Sequence, residues 1–208
     1  MLQQRYKILE AFGIPVYVNL SFLVLLFIFV MDFGSFSFGL AAALVLAVSV
    51  TAHELGHALT AGAFGYKTQS ITLSLLGGCA SLTSLPRNAW QEFLTAIAGP
   101  LVSFLLSGIA YLVLLLAPIT NRWLAEVLVY AFWMNIMLGA FNLLPGFPMD
   151  GGRIFRSTMR IFMTRAKATF VAMWVGRGAR LRFCSGCAAC GRSSTAATGA
   201  LFRFPSHG

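Results

Sequence analysis

Charge is what this chain has least of. Charged residues fill 10% of its 208 positions, and six of them are Asp or Glu, against about 25% charged in an ordinary soluble domain. That excludes a soluble globular fold for most of the length, and the long uncharged runs leave little room for soluble subdomains. Cysteine is also scarce: four residues, with Cys184, Cys187 and Cys190 bunched near the end and Cys79 alone. No secreted disulfide framework follows, and the C-x-x-C-x-x-C spacing lacks the fourth nearby thiol of an iron–sulfur or zinc site. What the chain has is apolar surface, with 58% hydrophobic residues and a mean hydropathy of +0.80. The 15 Lys and Arg give a formal charge of +9, gathered mainly beside the apolar runs and in the tail. Anionic lipid headgroups are the natural partner of such flanks; with no recognised binding module, nucleic acid is not expected.

Taken in order, the composition predicts an all-α polytopic membrane protein of about four transmembrane helices, over 12–31, 40–63, 90–117 and 127–143. The first run is long, holds Asn19 rather than a small-residue cleavage site and is followed by further spans, so no signal peptide is expected. Between spans two and three, Thr68–Leu76 alternates in part with period two. Gly77 and Gly78 read as a turn, and Cys79–Leu82 as a second short strand. A small β-hairpin or sheet is therefore expected there, at the interface or lining a protein-walled cavity, because unpaired backbone cannot face lipid. Its free edge could pair with an extended substrate strand.

Span four runs into GAFNLLPGFPMDGGR, Gly139–Arg153, where Pro145 and Pro148 predict broken backbone. The basic residues Lys67, Arg87, Arg153, Arg156, Arg160, Arg165 and Lys167 put this end of the membrane, and the N-terminus, in the cytoplasm. Residues 1–167 form one core. Residues 168–208 are atypical, rich in Arg, Cys, Ser, Ala and Gly without a period, and read either as a disordered tail or as an end produced by truncation or a shifted reading frame.

Few charges inside apolar runs make the exceptions informative. His53 and His57, in VTAHELGHALTA, are four apart and share one side of a helix, with Glu54 beside them. Buried in a span, they must satisfy one another or bind something, and polar intramembrane groups are functional by default. A catalytic zinc needs a third protein ligand and an open position. Asp150 is the candidate, being the last acid of the chain and brought to the same depth by the broken segment; an ordinary turn acid in D-G-G is the alternative. Glu54 is then free to act as general base, taking a proton from the attacking water and passing it to a leaving amine. Asn142 could donate to the substrate carbonyl or equally satisfy helix-end carbonyls. Glu92 reads as a helix-start acid, Ser103 as packing or helix–helix glue, and Gly56 as room for another chain or a helix-packing residue.

AHELGHAL (Ala52–Leu59), GGCA (Gly77–Ala80), IAGP (Ile97–Pro100) and FNLLPGFPMDGGR (Phe141–Arg153), in this order, resemble the site-2 protease family of intramembrane zinc metalloproteases. GIPVYVNLSFLVLL (Gly13–Leu26) is also similar to the family's first span, with Asn19 where many members carry histidine. The resemblance implies one Zn2+ per chain held by His53, His57 and Asp150, with Glu54 catalytic and Asn142 opening the Asn-x-x-Pro-x-x-Pro-x-Asp-Gly pattern. It implies cleavage of a single-pass membrane protein, such as an anti-sigma factor or a membrane-held transcription factor. Several members have Asn in the neighbourhood of Ser103, and many continue through further spans. The alternatives, a non-catalytic substrate-binding relative or a membrane metal transporter, fit less well: the upper halves of the spans are nearly purely apolar, whereas a transporter opens its site to both sides.

Overall fold

The computed structural model describes residues 5–74, 77–82, 88–145 and 149–162. The expected tail with its three cysteines, and Pro148, lie outside them. The chain begins with an antiparallel hairpin, β1 (Arg5–Ala11) and β2 (Ile14–Asn19). This corrects the expected first span, because residues 14–19 are strand and the helix that follows, α1 (Leu20–Asp32), has 13 residues. At about 1.5 Å per residue it covers about 20 Å, short of a ~30 Å hydrocarbon core. The cause is local. Ile14, Val16 and Val18 alternate with Pro15, Tyr17 and Asn19, β-branched side chains suit a half-buried strand, and the proline lies near the strand's start. Phe12 and Gly13 both have positive φ, 54° and 76°, as a two-residue hairpin turn with matching twist requires.

After α1 comes α2 (Phe36–Ala63), then β3 (Thr68–Ser74) and β4 (Gly77–Leu82). The four strands form one sheet in the order β1-β2-β3-β4, with β2 and β3 parallel, Val16 opposite Ile71 and Val18 opposite Leu73. Gly77 and Gly78, expected as the turn, instead pair with Ser74 and Leu73 inside β4. One face of the sheet is buried: Val16, Val18, Ile71 and Leu73 pack with Phe22 of α1 and with Leu46 and Val50 of α2.

Two long helices follow, α3 (Ala89–Leu116) and α4 (Arg122–Leu143). The side chains of Asn88 and Asn121 accept from the backbone N–H groups of Trp90 and Leu124 and start each of them. α4 begins earlier than the expected Val127 because Asn121 caps it. Among the described residues, α2, α3 and α4 are the helices long and apolar enough to cross a membrane. Leu105, Ile109, Leu112 and Leu116 of α3, and Leu40, Leu44 and Val48 of α2, form exposed apolar stripes that in a soluble protein would be an unusually large patch. The chain is a multi-pass membrane protein with a small sheet. Inside the bundle, small residues allow close approach: a Cβ on Gly56 would stand 2.8 Å from Cγ2 of Val102, and one on Gly139 3.0 Å from the Phe104 ring. The last described element, α5 (Asp150–Phe162), packs on α3. α4 ends at Leu143, where span four was expected to end, and helix resumes at Asp150, inside the stretch Gly139–Arg153 expected to be irregular.

Candidate metal centre

His53 and His57 lie one turn apart on the buried face of α2, 2% and 3% exposed. Their rings stand nearly perpendicular, centroids 4.9 Å apart, with the two Nε2 atoms separated by 3.3 Å. α3 shapes their surroundings through residues at helical spacing. Thr95, Gly99 and Ser103 recur every four positions and present one face to α2. His57 Nδ1 donates to the Thr95 carbonyl at 2.7 Å, and His53 Nδ1 is hydrogen-bonded to Ser103 Oγ at 2.9 Å. Between them lies Gly99, where a Cβ would overlap the His57 ring and come within 2.7 Å of His53 Nε2. Glycine is required there by the imidazoles.

Asp150, the first residue of α5, completes the group. Its Oδ2 lies 3.1 Å from His53 Nε2 and 2.9 Å from His57 Nε2, while Arg153 Nη1 stands 3.6 Å from Oδ1. One ligand atom from each of His53, His57 and Asp150 falls within 4.8 Å of the others. The donor set fits a divalent metal on its own chemistry. With Nδ1–H of His57 given to a carbonyl, the neutral ring turns its Nε2 lone pair toward a second nitrogen and a carboxylate oxygen. Three such atoms meeting need positive charge between them. Ligands about 2.0–2.2 Å from a tetrahedral zinc stand about 3.3–3.6 Å apart, a few tenths of an ångström wider than the 2.9, 3.1 and 3.3 Å separations found here. When protons fill that role, burial pushes the Asp150 carboxyl up, yet hydrogen bonds with His53 and His57 outweigh it and hold the group well below the ordinary carboxylate range.

A cavity of about 380 Å³ opens on this group, with His53, Glu54, Asp150 and Asn142 at its polar end and Phe22, Leu25, Leu138 and Phe141 among its apolar walls. Glu54 is 8% exposed, and Gly78 of β4 lies so close that a Cβ there would overlap its carboxylate. Asn142 lines the cavity, and its Nδ2 donates to the Leu138 carbonyl at 2.9 Å, the helix-end arrangement that its position allowed. All five residues singled out in the sequence, His53, Glu54, His57, Asn142 and Asp150, therefore share one neighbourhood.

Two features were missed. Ser103, read as packing or helix–helix glue, is hydrogen-bonded to one histidine, and the Thr95 carbonyl accepts from the other; the i, i+4 run of small and polar residues in α3 marked the face but not the carbonyl. Glu92, read as a helix-start acid, does stand in the first turn of α3; what the reading missed is that it is 1% exposed and bridges to Arg156 and Arg160 of α5.

Residues 41–122 and 117–180 match the family model described as peptidase family M50. Among solved structures, the site-2 protease from Methanocaldococcus jannaschii is similar, with a TM-score of 0.66 and 32% identity over 87% of this chain and 83% of that one. The zinc metalloprotease MJ0392 of the same organism is 34% identical over 177 residues, 84% of this chain and 51% of its own. The zinc metalloprotease candidate sll0528 of Synechocystis sp. is 36% identical over 191 residues, 85% and 50% respectively. The chain spans about half the length of these curated relatives.

Proposed function

The chain belongs to peptidase family M50, the site-2 protease family, and from that premise we propose that it is an intramembrane zinc endopeptidase that cuts segments of membrane-anchored proteins near one face of the bilayer. The observation that carries the reading is the convergence of two histidine nitrogens and a carboxylate oxygen at the polar end of a cavity that also contains a buried glutamate. His53, His57 and Asp150 would hold one zinc per chain through Nε2, Nε2 and Oδ2. When bound, zinc polarises a peptide carbonyl and makes water acidic enough to be deprotonated near neutral pH.

The remaining steps belong to side chains of this chain. Glu54 accepts the proton of the attacking water on its carboxylate and returns it to the leaving amine nitrogen as the C–N bond breaks. Asn142 can turn an amide N–H from the Leu138 carbonyl to the substrate carbonyl oxygen. The Thr95 carbonyl and the Ser103 hydroxyl keep both imidazoles aimed inward. β4 is an edge strand of the sheet and passes beside Glu54 at Gly78, so an unwound substrate strand can add to it by main-chain hydrogen bonds.

Substrates of this class are single-pass membrane proteins, an anti-sigma factor or a membrane-held transcription factor by family resemblance. Residues 1–167 form the catalytic core, and α1 enters the bilayer as a fourth, shorter helix. The N-terminus and the opening of the site face the cytoplasmic side of the cell membrane, a reading that Lys67 and the arginines of α5 support by the positive-inside rule. The test is cleavage of a panel of single-pass substrates reconstituted in vesicles with the purified chain. Cutting by the wild type but not by Glu54→Gln is expected; equal cutting by both would remove Glu54 from the mechanism.

A further inference from the structure

Glu92 is the most deeply buried acid among the described residues, 1% exposed. It stands in the first turn of α3, and both of its oxygens are engaged by α5. Arg156 Nε donates to Oε1 at 2.9 Å, Arg156 Nη2 bonds the same oxygen, and Arg160 Nη1 bonds Oε2. The two arginines are four apart and so leave α5 from one face. Their side chains are 21% and 9% exposed, which takes much of their charge out of water. A buried carboxylate flanked by two cations is a rigid, directional bridge, and removing its central charge leaves two guanidinium groups facing each other without a partner.

The bridge has a consequence at the other end of the same helix. Asp150 is the first residue of α5, six positions before Arg156, less than two turns away. Its Oδ2 reaches the two Nε2 atoms only while α5 lies against α3. Next to Asp150, Gly151 is pressed on the Leu143 and Leu144 carbonyls at the end of α4, with no room for a Cβ, so that contact limits how closely α5 can approach there. The charged attraction between the two helices comes from Glu92 and its two arginines.

We propose that Glu92 is a positioning residue for the metal centre: its bridge to Arg156 and Arg160 holds α5 on α3 and so keeps the Asp150 carboxylate against His53 and His57. The inference rests on the reading of Asp150 as a metal ligand. It acts through populations. If α5 without the clamp holds Asp150 in place a tenth of the time, the apparent dissociation constant for the metal rises about tenfold, within the range expected when a partner that orients a metal ligand is removed.

The experiment is zinc affinity of the full chain in detergent, by competition with a chelator, with Co2+ absorption as a second record of the coordination. Wild type, Glu92→Gln, Asp150→Ala and the double variant are compared. Glu92→Gln is expected to bind zinc at least about tenfold more weakly, and to weaken it no further once Asp150 is Ala, because the two act through one contact. Folded Glu92→Gln with affinity within about twofold of wild type, or losses that add in the double variant, would overturn the clamp while leaving the ligand reading intact. An Asp150→Ala variant that binds zinc like wild type would remove both. Should Glu92→Gln fail to fold, Arg156→Gln, which keeps the Arg160 arm, decides: a smaller loss absent from the Asp150→Ala background supports the proposal, and unchanged affinity contradicts it.

Discussion

Gly99 shows how closely single residues are held to the site. Alanine favours helix over glycine by about 1 kcal/mol, so by propensity alone Gly99→Ala should leave α3 as stable as before or slightly more so. Its Cβ would nevertheless occupy the space of the His57 ring. The expected outcome is lost zinc together with a lowered thermal midpoint, because overpacking costs about 1–3 kcal/mol and outweighs the helix gain, read by calorimetry and metal content on the same sample. Ser103→Ala removes the hydrogen bond at His53 Nδ1 and should weaken zinc about tenfold, measured by chelator competition. Removing the Glu54 carboxylate acts differently: Glu54→Gln keeps the metal and lowers kcat by about 10²–10⁴. At this scale the sequence was informative where chemistry is scarce. With three histidines and six acids in the chain, His53, His57, Glu54 and Asp150 stood out. The Thr95 carbonyl could not, because a backbone acceptor has no residue type to reveal it.

Among the elements, β4 and the β2–β3 pair carry the weight of the account. Gly78→Val puts a branched side chain where Glu54 lies, and peptide cleavage should fall sharply while zinc content stays at the wild-type value. Ile71, fully buried between the sheet and the helices, should cost about 2–5 kcal/mol of stability when cut to Ala, read as a lower denaturant midpoint at unchanged zinc stoichiometry. β3 was legible because Ser and Thr interrupt its apolar residues. β2 was not, although Ile14, Val16 and Val18 alternate, because the Leu- and Phe-rich run of α1 follows without a charge and the two read together as one span. Its pairing with β3 joins residues more than fifty positions apart, which no local period records. The end of α4 at Leu143 was legible from the prolines that follow it, whereas α5 from Asp150 was not, and the two arginines that dock it read as membrane-flanking charge.

At the scale of the whole molecule, lipid and protein divide the surface by helix face. The exposed stripes of α2 and α3 meet hydrocarbon, and the opposite faces converge on His53, His57 and Asp150. Three chain segments far apart in sequence supply the proposed centre: α2 gives the two histidines, α3 the groups hydrogen-bonded to them, and α5 the aspartate. That division makes each ligand separately removable. The most direct test is zinc per folded chain in the wild type and in His53→Ala, His57→Ala and Asp150→Ala, purified identically in detergent. About one zinc in the wild type and a loss in every variant is the predicted result. Full occupancy in all three variants, or no zinc in well-folded wild type, would contradict the assignment of this site as the metal centre.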